Sequence, residues 1–282
     1  MLGKEKIARL VQEITKKKEL QSIDNQFVEE HLSKYLRQEP KLMKSLYLNF
    51  NPKSKAYISV IKQVRSQLRR VYGLFRDDSK ERKRLVRELL DSQLPKRAEI
   101  LDAILATHSS THERMSFYDT LYYKLFSLTG RPTTILDLGC GINPFSFPAM
   151  KLKECSYFAY DINAEEIGSI NSYFQLLRRE NSSFNGKAVV ADIMDIAFPR
   201  ADLCLLLKMT DVIDKGKGHK KTEELLKRIP AKYVIISFAT KTMSGKKMTA
   251  PRRSWMEWLC RRLGYEYTIL EFENEIFYAI RK

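Results

Sequence analysis

Disulfide and zinc chemistry have little to build on in this sequence. Its four cysteines, Cys140, Cys155, Cys204 and Cys260, are scattered and form no Cys-x-x-Cys pair, so neither a disulfide framework nor a zinc knuckle is expected. The four histidines, His31, His108, His112 and His219, also lack ligand spacing, and no metal is predicted. No apolar run approaches the roughly 20 residues of a membrane span. The opening Met1-Leu2-Gly3-Lys4-Glu5-Lys6 turns polar too early for a secretory signal. Internal repeats and low-complexity linkers are missing as well. The expectation is a soluble, cytoplasmic protein of a reducing compartment, with no membrane partner and nothing that demands a dimer, hence a monomer.

Acidic residues are also scarce. There are 34 Asp+Glu against 50 Lys+Arg in 282 residues, a formal net charge of +16. Such an excess points to a polyanionic partner or an acidic membrane surface. It is uneven: residues 1–100 hold 24 Lys+Arg and 13 Asp+Glu, and the remaining residues hold 26 and 21. The N-terminal side therefore carries most of the imbalance, as a docking region would.

What is present divides into two patterns. Residues 1–106 read as helical and basic. Ile7, Leu10, Val11 and Ile14 repeat at helical spacing before Lys16-Lys17-Lys18. Asp24 is placed to cap a second helix bearing Phe27, Val28, Leu32, Tyr35 and Leu36. A third helix is predicted after Asn51-Pro52, with Pro52 in its first turn and an apolar stripe of Tyr57, Ile61, Val64, Leu68, Val71 and Phe75. Lys62, Arg65, Arg69 and Arg76 each follow an apolar position by one, which rotates a basic stripe about 100° from the apolar one. Asp78-Ser79-Lys80-Glu81 reads as an acidic capping box for a further helix, which Pro95 is expected to end.

From His112 onward helices and strands alternate. Residues 112–129 read as a helix closed by Gly130, and 106–111 and 241–251 as polar loops. Strands are predicted at Thr133–Leu138, Tyr157–Asp161, Lys187–Asp192, Asp202–Lys208 and Tyr233–Phe238, with helices at 163–180, 219–228 and 252–263. Tyr267–Phe272 and Glu275–Ile280 read as a terminal hairpin. Alternation of this kind calls for an α/β fold with a mostly parallel sheet covered on both faces. The boundary between the two regions is placed at 106/107.

The first strand runs into Gly139-Cys140-Gly141, where the backbone can turn sharply and approach a ligand without Cβ interference. Asp137 precedes the glycines, where its carboxylate can organise the turn. Asp161 ends the second strand about 20 residues on, the position of a ribose-binding acid in nucleotide folds. Asp192 ends the third, within reach of an adenine. A dinucleotide site would want a third glycine before a helix N-terminus, but Gly141 leads into Ile142-Asn143-Pro144. S-adenosylmethionine (SAM) carries no phosphate and fits the residues better.

Thr111-His112-Glu113-Arg114-Met115, Leu136-Asp137-Leu138-Gly139-Cys140-Gly141-Ile142-Asn143-Pro144, Leu205-Leu206-Leu207-Lys208-Met209 and the stretch from Val234 to Lys246 resemble the aminoglycoside-resistance 16S rRNA (guanine-N7) methyltransferases (the Arm, Rmt and FmrO type). The closing segment from Leu270 to Tyr278 is also similar. The resemblance runs from about residue 20 to the end and is tighter in the C-terminal motifs. It implies a class I, Rossmann-like SAM-dependent methyltransferase sheet with a helical N-terminal domain, acting on the small ribosomal subunit. In that reading Arg114 holds the SAM carboxylate, Gly139 and Gly141 line the methionine end, Asp161 and Ile162 meet the ribose and adenine, and Asp192 and Ile193 meet the adenine. Lys16, Lys17, Lys18, Lys62, Arg65, Arg69 and Arg70 become RNA contacts. Lys208, Ser237 and Phe238 are the candidates for touching the target base. The sequence departs from the family pattern at Gly139, where alanine is common, and at Ala239, where proline is common. Methylation of another RNA or of a small molecule, and a non-catalytic RNA-binding assembly factor, are the alternatives.

Overall fold

The computed structural model describes residues 2–17, 20–21, 23–72, 79–214, 218–241 and 246–282, without the side chains of 70–72 and 79. The chain divides into two compact units, Met1–Phe75 with Ile162–Glu165, and Arg76–Asp161 with Glu166–Lys282.

The first unit is helical. It contains α1 (Lys4–Thr15), α2 (Asn25–Gln38), α3 (Pro40–Leu48) and α4 (Lys55–Tyr72). The predicted cap at Asp24 is made: the Phe27 N–H donates to Asp24 Oδ1 at 2.9 Å. Leu10, Ile14, Val28, Leu32, Leu46, Val60, Val64 and Leu68 from the four helices close a single apolar cluster. Helix α3 was not anticipated. Pro40 opens it as a proline can in a first turn, but it buries only Leu46, so its apolar periodicity is faint. Helix α4 begins at Lys55, three residues past Pro52.

The second unit opens with α5 (Ser79–Asp91) and α6 (Leu94–Ala106). Both are grouped with the sheet unit, so the observed division falls at Phe75/Arg76 and not at 106/107. Leu85, Leu89, Ile100 and Ile104 explain this, because they join the apolar cluster on one face of the sheet. Pro95 does not end a helix; it sits in the first turn of α6. The predicted loop at 106–111 is partly helical, since α7 (Ser109–Arg114) begins within it. A short 3-10 turn then leads to α8 (Tyr118–Thr129), which stops at Gly130 with φ +77°.

Among the described residues seven strands follow in one sheet: β1 (Thr134–Leu138), β2 (Cys155–Asp161), β3 (Phe184–Val190), β4 (Ala201–Leu207), β5 (Ala231–Ala239), β6 (Glu266–Glu271) and β7 (Glu275–Arg281). Their order is β3-β2-β1-β4-β5-β7-β6. The first five pair in parallel, and β7 joins β5 and β6 antiparallel, as the hairpin reading required. Between strands lie α9 (Phe147–Met150), α10 (Ala164–Glu180), α11 (Thr210–Asp214), α12 (Lys220–Arg228) and α13 (Ser254–Leu263).

Both faces of the sheet are covered, which is why the central strands read as unbroken apolar runs. Ile135, Tyr157, Leu203, Leu205, Ile235 and Phe277 face one cluster with residues of α8 and α10. Leu136, Leu138, Cys204, Leu206, Ile236 and Tyr278 face the other with α12 and α13. The strand order reverses between β1 and β4, and in open α/β sheets ligands bind beyond the strand carboxyl ends at such a switch. No helix among the described residues is long and apolar enough to cross a membrane.

Candidate functional site at the carboxyl edge of the sheet

The turn after β1 is held from the strand beside it. Gly139 and Cys140 both donate their N–H groups to the Tyr160 carbonyl, at 2.8 and 3.0 Å. Gly141 donates its N–H to Asp161 Oδ2 at 2.9 Å. Gly139 and Gly141 have φ of +67° and +48°, values that only glycine adopts without strain. At Gly139 a Cβ would also lie 2.4 Å from the end of the flexible Met209 side chain, which would have to shift. At Gly141 a Cβ would approach His108 Nε2 at 3.6 Å.

Asp137 is buried and does organise the turn. Its Oδ2 accepts from Tyr157 Oη at 2.7 Å and from Asn143 Nδ2 at 2.9 Å. Burial pushes its carboxyl up to about 6 against the pull of those two donors. It acts beneath the loop as a support. Asp161 and Asp192 lie at the ends of β2 and β3 and are half-buried. The Ala191 N–H donates to the Asp161 carbonyl at 2.9 Å, tying the two strand ends together. Asp192 Oδ1 accepts the Met194 N–H at 2.9 Å. Ile193 is buried in the apolar cluster of that face. Ile162 is grouped with the first unit and packs against its cluster.

Arg114 is buried and forks onto Glu275, with Nε and Nη2 donating to the two carboxylate oxygens at 2.9 Å each. Paired donation of this kind is the strong geometry for a guanidinium. Burial disfavours the Arg114 charge, but Glu275 outweighs it and the pKa stands above its ordinary value. The Tyr118 hydroxyl is a further partner of Arg114 and donates to Asn143 Oδ1 at 3.1 Å. A polar chain thus runs from Glu275 through Arg114, Tyr118 and Asn143 to Asp137 under the glycine turn. The predicted carboxylate clamp is therefore already engaged with a protein carboxylate.

The three base-contact candidates lie at the expected sheet edge, but two of them are buried there. Lys208 has φ +57°, and its ammonium pairs with Glu113 and lies 3.4 Å from Glu275. Ser237 is fully buried; its hydroxyl donates to Glu275 and accepts the Lys208 N–H at 3.0 Å. Phe238 is 1% exposed and packs in the core. Ser237 and Phe238 are thus supports, and Lys208 alone stands next to a partly exposed group. Glu275, Glu113, Tyr118, Asn143 and Met209 were not foreseen. The signal for Glu275 was a single acid opening an apolar strand, where a buried charge requires a partner.

Among the basic candidates, Arg65 is pinned. Its Nε donates to the Ile14 carbonyl at 3.2 Å, a second donor reaches the Glu13 carbonyl, and the Glu13 carboxylate lies at 3.5 Å. It finishes helix α1 and is mostly covered. Lys16 pairs at the surface with Glu13 at 2.6 Å. Lys17, Lys62, Arg65 and Arg69 line an open groove of about 450 Å³. Lys18 and the side chain of Arg70 lie outside the described residues, as do 242–245 of the loop expected at 241–251. No cluster of metal-ligating side chains occurs among the described residues.

Comparison with known proteins agrees with this architecture. A family model described as ribosomal RNA methyltransferase (FmrO) matches residues 54–279. The 16S rRNA (guanine(1405)-N(7))-methyltransferase of Proteus mirabilis is 28% identical over 239 residues, covering 78% of this chain and 83% of that protein. The enzyme of the same name from Micromonospora echinospora is 27% identical over 238 residues, covering 79% and 82%. Among solved structures, the 16S rRNA methyltransferase RmtF, in complex with S-adenosyl-L-homocysteine, superposes over 100% of both chains with a TM-score of 0.71 at 21% identity, a likeness of fold. The 16S rRNA methylase ArmA is 25% identical with a TM-score of 0.56, covering 70% of this chain and 97% of ArmA. With four-fifths of its length inside the family match, the chain belongs to the FmrO family of ribosomal RNA methyltransferases.

Proposed function

We propose that the protein transfers a methyl group from SAM to N7 of a guanine in 16S rRNA, the reaction that its Proteus mirabilis and Micromonospora echinospora relatives are named for. One observation carries the reading: a glycine turn with positive φ at Gly139 and Gly141 is held by Asp161 at a sheet switch point. The residues present suit the cofactor. The turn offers a close backbone approach, and Asp161 and Asp192 stand at successive strand ends for ribose and adenine. The buried Thr210 hydroxyl beyond β4 has no hydrogen-bond partner among the described residues, so a polar ligand group can satisfy it.

When bound, SAM supplies an electrophilic methyl on a positively charged sulfur. Guanine N7 offers a lone pair and no proton, so the chain needs no general base, and its work is positioning and water exclusion. Gly139 and Gly141 keep the turn open. Asp161 fixes its outer limb, and Asp137 fixes its base. The partly exposed Glu113, paired with Lys208 over the buried Glu275, is the charged group at the edge beyond β4, and it orients a polar substrate without taking its proton. The basic helical unit supplies phosphate attraction through Lys16, Lys17, Lys62 and Arg69.

The test is incubation of the full chain with labelled SAM and purified small subunits, followed by mapping of N7-methylguanine through alkali-labile strand scission. Label in a single small-subunit guanine is the expected result. Label only in transfer RNA or in a small molecule, or none at all, overturns the assignment.

A further inference from the structure

His219 and Trp255 form a stacked pair that the methyl-transfer chemistry leaves unused. Their ring centroids are 3.5 Å apart and their planes differ by 6°. The two residues come from different parts of the chain. His219 precedes α12 in the segment leaving β4, and Trp255 lies in the first turn of α13 in the segment leaving β5. Both segments depart from strand carboxyl ends, the edge that carries the glycine turn.

The pair is built from the core outward. Trp255 meets the buried ring of Phe238 edge-on at 5.8 Å, and Arg253 lies 5.1 Å over the same Phe238 ring. His219 lies over Trp255 with 43% of its side chain exposed. Asp214 steadies the start of α12: it accepts the Lys221 and Thr222 N–H groups at 3.1 and 3.2 Å and the Thr222 hydroxyl at 2.6 Å. His219 Nδ1 lies 3.4 Å from the same carboxylate. The imidazole plane is thus fixed from below and from the side. Lys220 and Lys221 follow it, both exposed.

We propose that this tier is a stacking platform for an unpaired nucleobase of the RNA substrate, seated on the His219 ring with its phosphates near Lys220 and Lys221. Aromatic faces beside a cationic rim are how proteins hold single-stranded nucleotides without reading their sequence. A target guanine has to leave its helix to be methylated at a closed site, and a platform beside the reacting edge holds a neighbouring base while it does so. The inference rests on the proposed RNA substrate and adds to it a contact outside the cofactor site.

The experiment compares the full-length protein with His219→Ala, His219→Phe and His219→Asn. Single-turnover methylation of small subunits and calorimetry with S-adenosyl-L-homocysteine are measured on each. Alanine and asparagine are expected to weaken subunit binding by about tenfold, from the loss of one base stack. Phenylalanine restores it, and homocysteine-nucleoside affinity stays unchanged in all three. Asparagine keeps a polar partner for Asp214, so recovery with asparagine but not phenylalanine overturns the proposal. Equal binding by wild type and alanine overturns it too. Trp258→Phe leaves Trp255 as the single tryptophan of the two in the chain; its emission is expected to change when RNA is added, and a constant emission counts against the platform. A wild-type protein that methylates no RNA instead sinks the substrate assignment itself, so the two failures are distinguishable.

Discussion

The two units differ in how deeply their ion pairs are set. In the sheet unit some charged side chains pair in the interior, Arg114 with Glu275, Arg82 with Glu166 and Lys208 with Glu275, while others such as Lys151 with Asp119 and Arg84 with Glu88 pair at the surface. In the helical unit most pairs are exposed, as Arg9 with Glu5 and Lys16 with Glu13 are. Buried pairs hold shape because neither partner can be left alone, while exposed pairs contribute little and leave their charge for a partner. Among the described residues, the sheet unit adds fully buried pairs to its surface ones, and the helical unit has none so deeply set.

The largest effect that tests this contrast comes from a buried partner. Arg82 donates to Glu166 at 2.6 Å and to the Thr107 hydroxyl and carbonyl at 2.8 Å each, with both members of the pair almost fully covered. Arg82→Ala removes a buried partner of Glu166 and is expected to cost about 3–5 kcal/mol of stability. Arg114→Ala should cost a similar amount and also weaken S-adenosyl-L-homocysteine binding, because the polar chain under the turn passes through it. Thermal melting with calorimetry separates the two. A loss of under about 1 kcal/mol from either would place these pairs with the surface ones.

Next in size is Gly139→Ala. The φ of +67° and the Met209 thioether 2.4 Å from the added Cβ act together, and a loss of about 1–3 kcal/mol is expected. Met209→Ala in the same chain removes the collision but not the backbone strain. The double variant should therefore recover part of the loss, and full additivity of the two changes would show that Met209 does not set the residue at 139.

Asp137 gives a pH signature of comparable size. Its carboxyl stands at about 6 in the folded protein against an ordinary 3.8. A raised folded value means that its stabilising contribution is complete below about pH 4 and is lost as pH rises through about 6. Both donors meet the same oxygen, Oδ2, so Asp137→Asn can keep both bonds without a titrating charge. Relative to that variant, the wild type is expected to lose about 1–3 kcal/mol between pH 4 and pH 7. Parallel melting curves across that range would show that Asp137 does not titrate there.

The parallel strands, the closing hairpin and the glycine turn were legible because each has a local cause: an apolar run, an acid at a strand end, a residue type that alone accepts the backbone. The failures were non-local. Pro95 is compatible with ending one helix or starting the next, and only the packing of Ile100 and Ile104 on the sheet decides between them. Ser237 and Phe238 were placed at the right sheet edge, but the pairing of β5 with β7 buries them beneath it. Glu275 is 161 residues from Arg114, and no spacing rule connects residues so far apart. Arg65 occupies a regular basic stripe, and the stripe does not reveal that α1 ends against it.

Arg65 therefore gives the smallest and sharpest comparison, inside the helical unit alone. It donates to the last carbonyls of α1 from a side chain 16% exposed, whereas Lys62 is exposed on the same helix. Arg65→Ala should lower the stability of the unit by about 1 kcal/mol, as the loss of a helix-end contact does. Lys62→Ala should leave melting unchanged but reduce the salt dependence of RNA binding by about one counterion. If Arg65→Ala instead shifts the salt dependence and spares the melting temperature, the stripe is one continuous docking face. If the two variants separate as expected, the basic stripe is two things at once, a helix clamp and a phosphate contact, and charge counting alone overstates the docking surface.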